Sequence, residues 1–155
     1  MSAFRIRPAL PEEETQILAI ADRLAAFEPS TRSSEEITGR ERRALSEALA
    51  RPSQDLTLLV ADDPPLGLAG ILLLETRWDY FTDERHGHVA ILAVAQRAEG
   101  RGLGKALLAA AEEWGRARQF RRLTLSVFVD NQRARQLYSR QGWQPEIETH
   151  YKNLE

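Results

Sequence analysis

Gly100-Arg101-Gly102-Leu103-Gly104 gathers three of the chain's nine glycines into one short stretch. It follows the continuous apolar run His88 to Val94 and precedes a stripe at helical spacing, Leu103, Leu107, Ala110, Ala111 and Trp114. A buried strand that passes into a helix through so much glycine leaves the helix's first N–H groups without partners and with no Cβ standing over them. Such a junction offers an anion a row of free amides at the positive end of the helix dipole. A plain turn needs fewer glycines, so the loop reads as an anion cradle.

Around this junction the chain alternates between strand and helix patterns. Phe4 to Arg7 reads as a short opening strand, Pro11 with Glu12, Glu13 and Glu14 starts a helix, and Ile17, Ile20, Ala21 and Leu24 form its stripe. Ser33 with Glu36 is a capping-box pattern for a second helix running to about Ala50. Leu56 to Ala61 and Leu66 to Glu75, separated by Asp62-Asp63-Pro64-Pro65, predict an antiparallel pair. After the glycine loop and its helix come a strand from Leu123 to Val129, a helix with stripe Ala134, Leu137, Tyr138 and Gln141 stopped by Gly142, and a tail that can supply one or two last strands. There are no repeats, and no linker divides the chain.

Composition narrows the chemistry. The chain has 155 residues and a net charge of −2, enough length to bury roughly 70% of its unfolded surface without a staple. The absence of Cys removes thiol nucleophiles and Cys-based metal sites and fits a reducing compartment. No apolar run approaches a membrane span, and MSAFRIRPAL lacks a signal peptide's apolar segment, so a cytoplasmic protein off the membrane is expected. The charge is unevenly placed: Arg97 to Arg140 holds ten bases and four acids, a net +6, against −8 for the remainder. One anionic ligand bound at one place would explain that pattern, and so would ordinary charge on helix surfaces. A nucleic-acid partner is not expected, because the acidic remainder repels a long polyanion and no recognition motif is present.

The familiar phosphate loops do not fit. A Walker loop needs Ser or Thr after Gly104-Lys105, where Ala106 stands, and a Rossmann fingerprint begun at Gly100 needs glycine where Lys105 stands. The run from Val94 to Leu108, VAQRAEGRGLGKALL, instead resembles the acetyl-CoA pyrophosphate loop of the GCN5-related N-acetyltransferase (GNAT) superfamily. Downstream, NQRARQLYSRQGW from Asn131 to Trp143 is similar to the family's second hallmark, Asn-x-x-Ala-x-x-Leu-Tyr-x-(Lys/Arg)-x-Gly-aromatic. The two stand in the family's order and spacing.

The resemblance implies an α/β (α+β) fold in a single domain, residues 1–155: a mixed, mostly antiparallel sheet of six to seven strands, splayed at the cofactor cleft and flanked by about four helices. It implies an acetyl-CoA-dependent N-acetyltransferase that moves the acetyl group directly to a primary amine in a ternary complex, without a metal. The diphosphate would lie on the loop amides from Glu99 through Gly100, Arg101, Gly102, Leu103 and Gly104 to Lys105, with Arg140 as a further cofactor residue. Leu92, Ala93 and Val94 would pair with the pantetheine amides as an added strand does. Asn131 would bond the pantetheine arm, a position that equally suits a helix N-cap. Tyr138 would protonate the departing thiolate while its ring packs in the core.

Two departures stand out. The family commonly has Arg or Gln where Glu99 stands; a carboxylate there repels a diphosphate, and Arg97 is the expected offset. The strand before the loop often carries a glutamate base, but that place is Ala90, so Glu75 becomes the first substitute, ahead of Asp79 and Glu28. His86 and His88 flank Gly87 and suit a proton relay better than a metal, for want of a third ligand. Phe27, Glu28, Trp78, Asp79, Tyr80, Phe81 and Tyr151 offer aromatic and acidic groups to a cationic small-molecule or peptide amine, a composition that also suits a homodimer interface. The other readings are a non-catalytic acyl-CoA-binding or sensor module, which Glu99 and the missing glutamate favour, and, behind it, a nucleic-acid-binding domain that uses the basic segment.

Overall fold

A computed structural model describes residues 4–155. Among them β1, Arg5–Pro8, β2, Leu56–Asp62, β3, Leu68–Trp78, β4, Arg85–Val94, and β5, Leu123–Leu125, form one sheet in that spatial order. Neighbours from β1 to β4 are antiparallel and β5 runs parallel to β4. Four helices flank the sheet: α1, Glu14–Ala21, α2, Ser34–Ala50, α3, Leu103–Ala117, and α4, Gln132–Arg140. No helix among the described residues is long and apolar enough to cross a membrane.

The local signals account for these elements. Ser33 Oγ accepts from the Glu36 amide at 3.0 Å while the Glu36 carboxylate accepts from the Ser33 amide at 2.8 Å, so the capping box closes and α2 begins where the pattern placed it. Apolar residues run unbroken from Leu68 to Leu74 of β3 because both faces of that part are covered. Ile71 and Leu73 meet Ile17, Ile20, Ala21 and Leu45 of α1 and α2. Leu72 and Leu74 meet Leu103, Leu107, Ala111 and Trp114 of α3.

Two irregularities on β4 position the site. Leu73 opposes Ile91 but Leu74 opposes Val89, which leaves Ala90 as the extra residue of a bulge. On its other side β4 pairs with β5 only from Gly87 to Val89, so among the described residues its edge from Ala90 to Val94 has no strand beside it, and this unpaired edge is one side of a cleft whose other side is the chain after β5.

The strand count differs from the expected six to seven. β5 ends at Leu125 rather than Val129, and residues 144–155 form no strand. Ile147, Tyr151 and Leu154 of that tail are exposed, so nothing apolar anchors it to the sheet. Ladder hydrogen bonds exchanged against water add too little net stability to hold a strand alone.

Candidate active site

The glycine loop is built as a cradle. Gly100 and Gly102 have φ of 77° and 78°, and nothing lies within 4 Å of where a Cβ would stand on either. Gly102 is the N-cap of α3 and has no side chain to bond the first turn. Among the described residues, no N–H from Gly100 to Lys105 donates to a carbonyl in a well-formed hydrogen bond; the next one, of Ala106, returns to Gly102 O at 3.1 Å. The Glu99 amide is occupied by Gln96 O at 3.2 Å, so the open row starts at Gly100. Leu103 is buried under the loop, and α3 lies so close to α4 that a Cβ on Gly104 would stand 2.9 Å from Leu137 Cδ2. A row of unpaired amides with clear space above it fits the oxygens of a diphosphate.

The side chains around the loop are arranged differently from expectation. Arg97 and Arg101 both turn to Asp63, at 3.0 and 2.9 Å, in the β2–β3 turn. Arg97 also donates to the Leu66 and Leu68 carbonyls, and Arg101 stacks on the Phe4 ring at 4.4 Å. Asp63 is buried, and the Arg101 hydrogen bond, more than that of Arg97, holds its carboxyl below the usual range. Arg97 therefore pins the loop to the hairpin and does not offset Glu99. That carboxylate is met by Arg133 at 2.8 Å and by Arg23, and the two guanidiniums, Arg133 foremost, hold it below the usual range. Lys105 and Arg140 are exposed and make no ion pair among the described residues.

Across the cleft, Asn131 is the N-cap of α4: its Oδ1 accepts from the Ala134 amide at 3.3 Å. Tyr138 is half-buried with its ring 6.3 Å from that of Trp143, and desolvation pushes its phenol pKa up. The segment before Asn131 is tied to the chain between α1 and α2. Phe27 and Phe128 rings lie 5.4 Å apart, and Asp130 Oδ2 accepts from the Ser30 amide and hydroxyl at 3.0 and 2.7 Å. Glu28 is exposed beside this tie, in a left-handed conformation with φ of 58°.

On the α1–α2 face, one step back from the bulge, Glu75 pairs in register with His88. The Glu75 carboxylate bonds Arg77. His88 Nδ1 and His86 Nε2 both reach Thr124 Oγ1, at 2.8 and 3.1 Å. Burial, with Arg77 and His86 nearby, pulls the His88 pKa down to about 4, and His86 Nδ1 is buried without a partner. Glu41 of α2 joins this group. Desolvation raises its pKa, Arg40 opposes the rise, and Glu75 adds to it. Residue reasoning passed over Glu41, although it stands midway between buried Ile37 and Leu45 on the helix stripe. A carboxylate in an apolar stripe was the available signal.

Apart from Tyr151, the remaining acceptor candidates lie at the β3–β4 turn, where Asp79 and His86 line one pocket. Asp79 is held in its own turn, accepting from the Phe81 and Thr82 amides at 2.8 and 3.0 Å, with Arg122 3.6 Å away. Trp78, Tyr80 and Phe81 are exposed at that turn, where Arg85 lies over Trp78 and Tyr80 meets Phe81 edge-on. The turn precedes β4 while the glycine loop follows it; Arg85 alone is about 17 Å of strand from Ala90. Tyr151 lies in the exposed tail.

The profile of the acetyltransferase (GNAT) family matches residues 19–143. A mycothiol acetyltransferase of Beutenbergia cavernae is 41% identical over 73 residues, 47% of this chain and 25% of that protein, so the match spans about a quarter of the relative's length. Among solved structures, a Bacillus halodurans protein studied as a tetramutant superposes with a TM-score of 0.79 at 19% identity, covering 97% of this chain and 99% of the other. The aminoglycoside antibiotic 6'-N-acetyltransferase of Acinetobacter haemolyticus superposes with a TM-score of 0.73 at 16% identity, covering 97% and 98%. These two establish the fold. Because the family match runs from within α1 to Trp143, through the glycine loop and both walls of the cleft, this chain belongs to the acetyltransferase (GNAT) family.

Proposed function

We propose that residues 1–155 form one N-acetyltransferase domain that moves an acetyl group from acetyl-CoA to a primary amine by direct transfer in a ternary complex. The observation that carries this reading is the open row of amides from Gly100 to Lys105 at the end of a strand whose neighbouring edge is free. Acetyl-CoA, when bound, supplies a thioester whose carbonyl carbon an amine can attack. Gly100, Arg101, Gly102, Leu103, Gly104 and Lys105 hold the diphosphate through backbone amides, with the Lys105 and Arg140 side chains as further cations. Leu92, Ala93 and Val94 offer the free β4 edge to the pantetheine amides. Asn131 spends its oxygen on the cap, which leaves its amide N–H groups for the same arm.

Tyr138 and Glu75 are the acid and base of this reading. Tyr138 keeps its proton at neutral pH, so it can donate a hydrogen bond to sulfur as the thiolate leaves. A lysine-like amine is protonated at pH 7 by about 3.4 pKa units, roughly 4.6 kcal/mol, and a base must take up that difference. Glu75 is the carboxylate nearest the bulge and serves as the base, with Glu41, whose pKa burial raises, beside it. His88 remains neutral and provides a hydrogen-bonding wall. Glu28 and Phe27 meet the acceptor at the cleft, whereas Trp78, Asp79, Tyr80 and Phe81 serve the distal part of a long cationic acceptor.

The test is thiol release from acetyl-CoA with a panel of simple amines, polyamines, aminoglycosides and peptide N-termini. At least one class should be turned over, and Tyr138→Phe should lower kcat about 100-fold while acetyl-CoA still binds. An unchanged kcat in Tyr138→Phe removes the tyrosine from the chemistry. Binding without turnover across the panel would favour the non-catalytic module.

A further inference from the structure

Glu99 ties three parts of the molecule together at the glycine loop. Its Oε2 accepts from Arg133 in the first turn of α4 at 2.8 Å, and its Oε1 from Arg23 in the turn after α1. The bridge therefore joins the loop that ends β4 to the α4 wall of the cleft, with α1 behind. Two features mark it as incompletely matched. One carboxylate faces two guanidiniums, leaving a net positive charge, and Arg23 Nε is buried with no hydrogen-bond partner. The adjacent amides from Gly100 to Lys105 draw an anion to the place where Glu99 repels one. The conflict disappears if the incoming anion takes over the arginines. A phosphate carries more charge than a carboxylate and has more acceptor oxygens for a guanidinium fork.

We infer that Arg23 and Arg133 form a phosphate subsite of the acyl-CoA cleft that Glu99 occupies in the free protein, so that binding exchanges an internal carboxylate for a phosphate of the cofactor. The inference rests on the cofactor reading given above and adds two binding residues and a competitor to it. In the bound state Glu99 gives up its guanidinium partners and turns to solvent, and no bond other than hydrogen bonds and ion pairs changes.

Titration calorimetry of the full chain with coenzyme A tests this. Glu99→Gln should bind coenzyme A more tightly than wild type, roughly 3- to 10-fold. Arg133→Gln should bind it about 10-fold more weakly and with a shallower salt dependence. Dephospho-coenzyme A and pantetheine identify the phosphate: the gain in Glu99→Gln vanishes with the first if the 3′-phosphate is held, and only with the second if the diphosphate is. Should Glu99→Gln be poorly folded, Arg133→Gln and Arg23→Gln carry the test alone. Equal or weaker binding by a folded Glu99→Gln, or unchanged binding by both arginine variants, overturns the inference while leaving the cofactor reading intact. Wild-type protein that does not bind coenzyme A overturns the cofactor reading itself.

Discussion

His88 is 5% exposed, lies beside Glu75 in the sheet and shares Thr124 Oγ1 with His86. Its pKa is pulled from 6.5 to about 4, so in the folded chain it stays neutral where an unfolded chain takes up a proton. A depressed pKa of this kind stabilises the fold above pH 6.5, and that stability is lost as pH falls toward about 4. The loss amounts to about 3 kcal/mol. Urea unfolding at pH 7 and pH 4.5 should show most of it, and His88→Asn should flatten the difference. Equal slopes in the two proteins would place the pH sensitivity elsewhere. Glu13, Asp63 and Glu99 are held low by arginines, so their contribution disappears at lower pH, through and below the ordinary carboxylate range. The sequence pointed to the two histidines but not to Thr124, because only the parallel pairing of β4 with β5 brings it between them. For Arg23 the reason is similar: it lies far from Glu99 along the chain, and nothing in its neighbourhood marks it.

At the scale of elements, those with a strong local signal were legible. The capping box at Ser33 and Glu36 located the start of α2, and Ser33→Ala should cost about 1 kcal/mol in chemical unfolding. Because the two side chains bond each other's backbone, Ser33→Ala and Glu36→Ala should combine to less than the sum of their separate costs. The glycine loop was legible for the same reason, since only glycine leaves its amides both free and uncovered. Gly102→Ala separates the loop's two roles. A left-handed φ of 78° costs a side chain about 1 kcal/mol, and the new methyl meets no protein atom within 4 Å. Stability should therefore fall by little more than that, while affinity for coenzyme A drops at least 10-fold because the methyl stands where phosphate oxygens bind. Equal affinity in the two proteins would put the diphosphate elsewhere. The end of β5 and the tail were not legible, because Ile147, Thr149 and Tyr151 alternate as a strand would but find no apolar surface to cover.

Across the whole molecule, the net +6 between Arg97 and Arg140 proves to be largely internal. Arg97 and Arg101 share Asp63, Arg133 joins Glu99, Arg121 faces Glu84, and Arg122 lies between Asp79 and Glu146. Acids from elsewhere in the chain neutralise most of the segment. What remains without an ion pair near the loop and α4 among the described residues is Lys105, Arg135 and Arg140. That is enough charge for one small polyanion and too little for a duplex surface. Uneven charge along the sequence thus reflected two things, the pairs that hold the loop and the few cations left for a ligand. The fold explains the division: the paired bases Arg97, Arg101, Arg121 and Arg122 lie in the segments that flank α3, where Asp63 of the β2–β3 turn and Asp79 and Glu84 of the β3–β4 turn meet them, whereas Lys105 on α3 and Arg135 and Arg140 on α4 have no such partner among the described residues.

Thermal unfolding with and without acetyl-CoA tests the central claim most directly. A ligand at about 100 times its Kd adds roughly 2.7 kcal/mol, which for a chain of this size raises Tm by about 5–10 °C. Acetyl-CoA should produce that rise, and duplex DNA at physiological salt should produce none; a rise with DNA, or none with acetyl-CoA, would contradict the account.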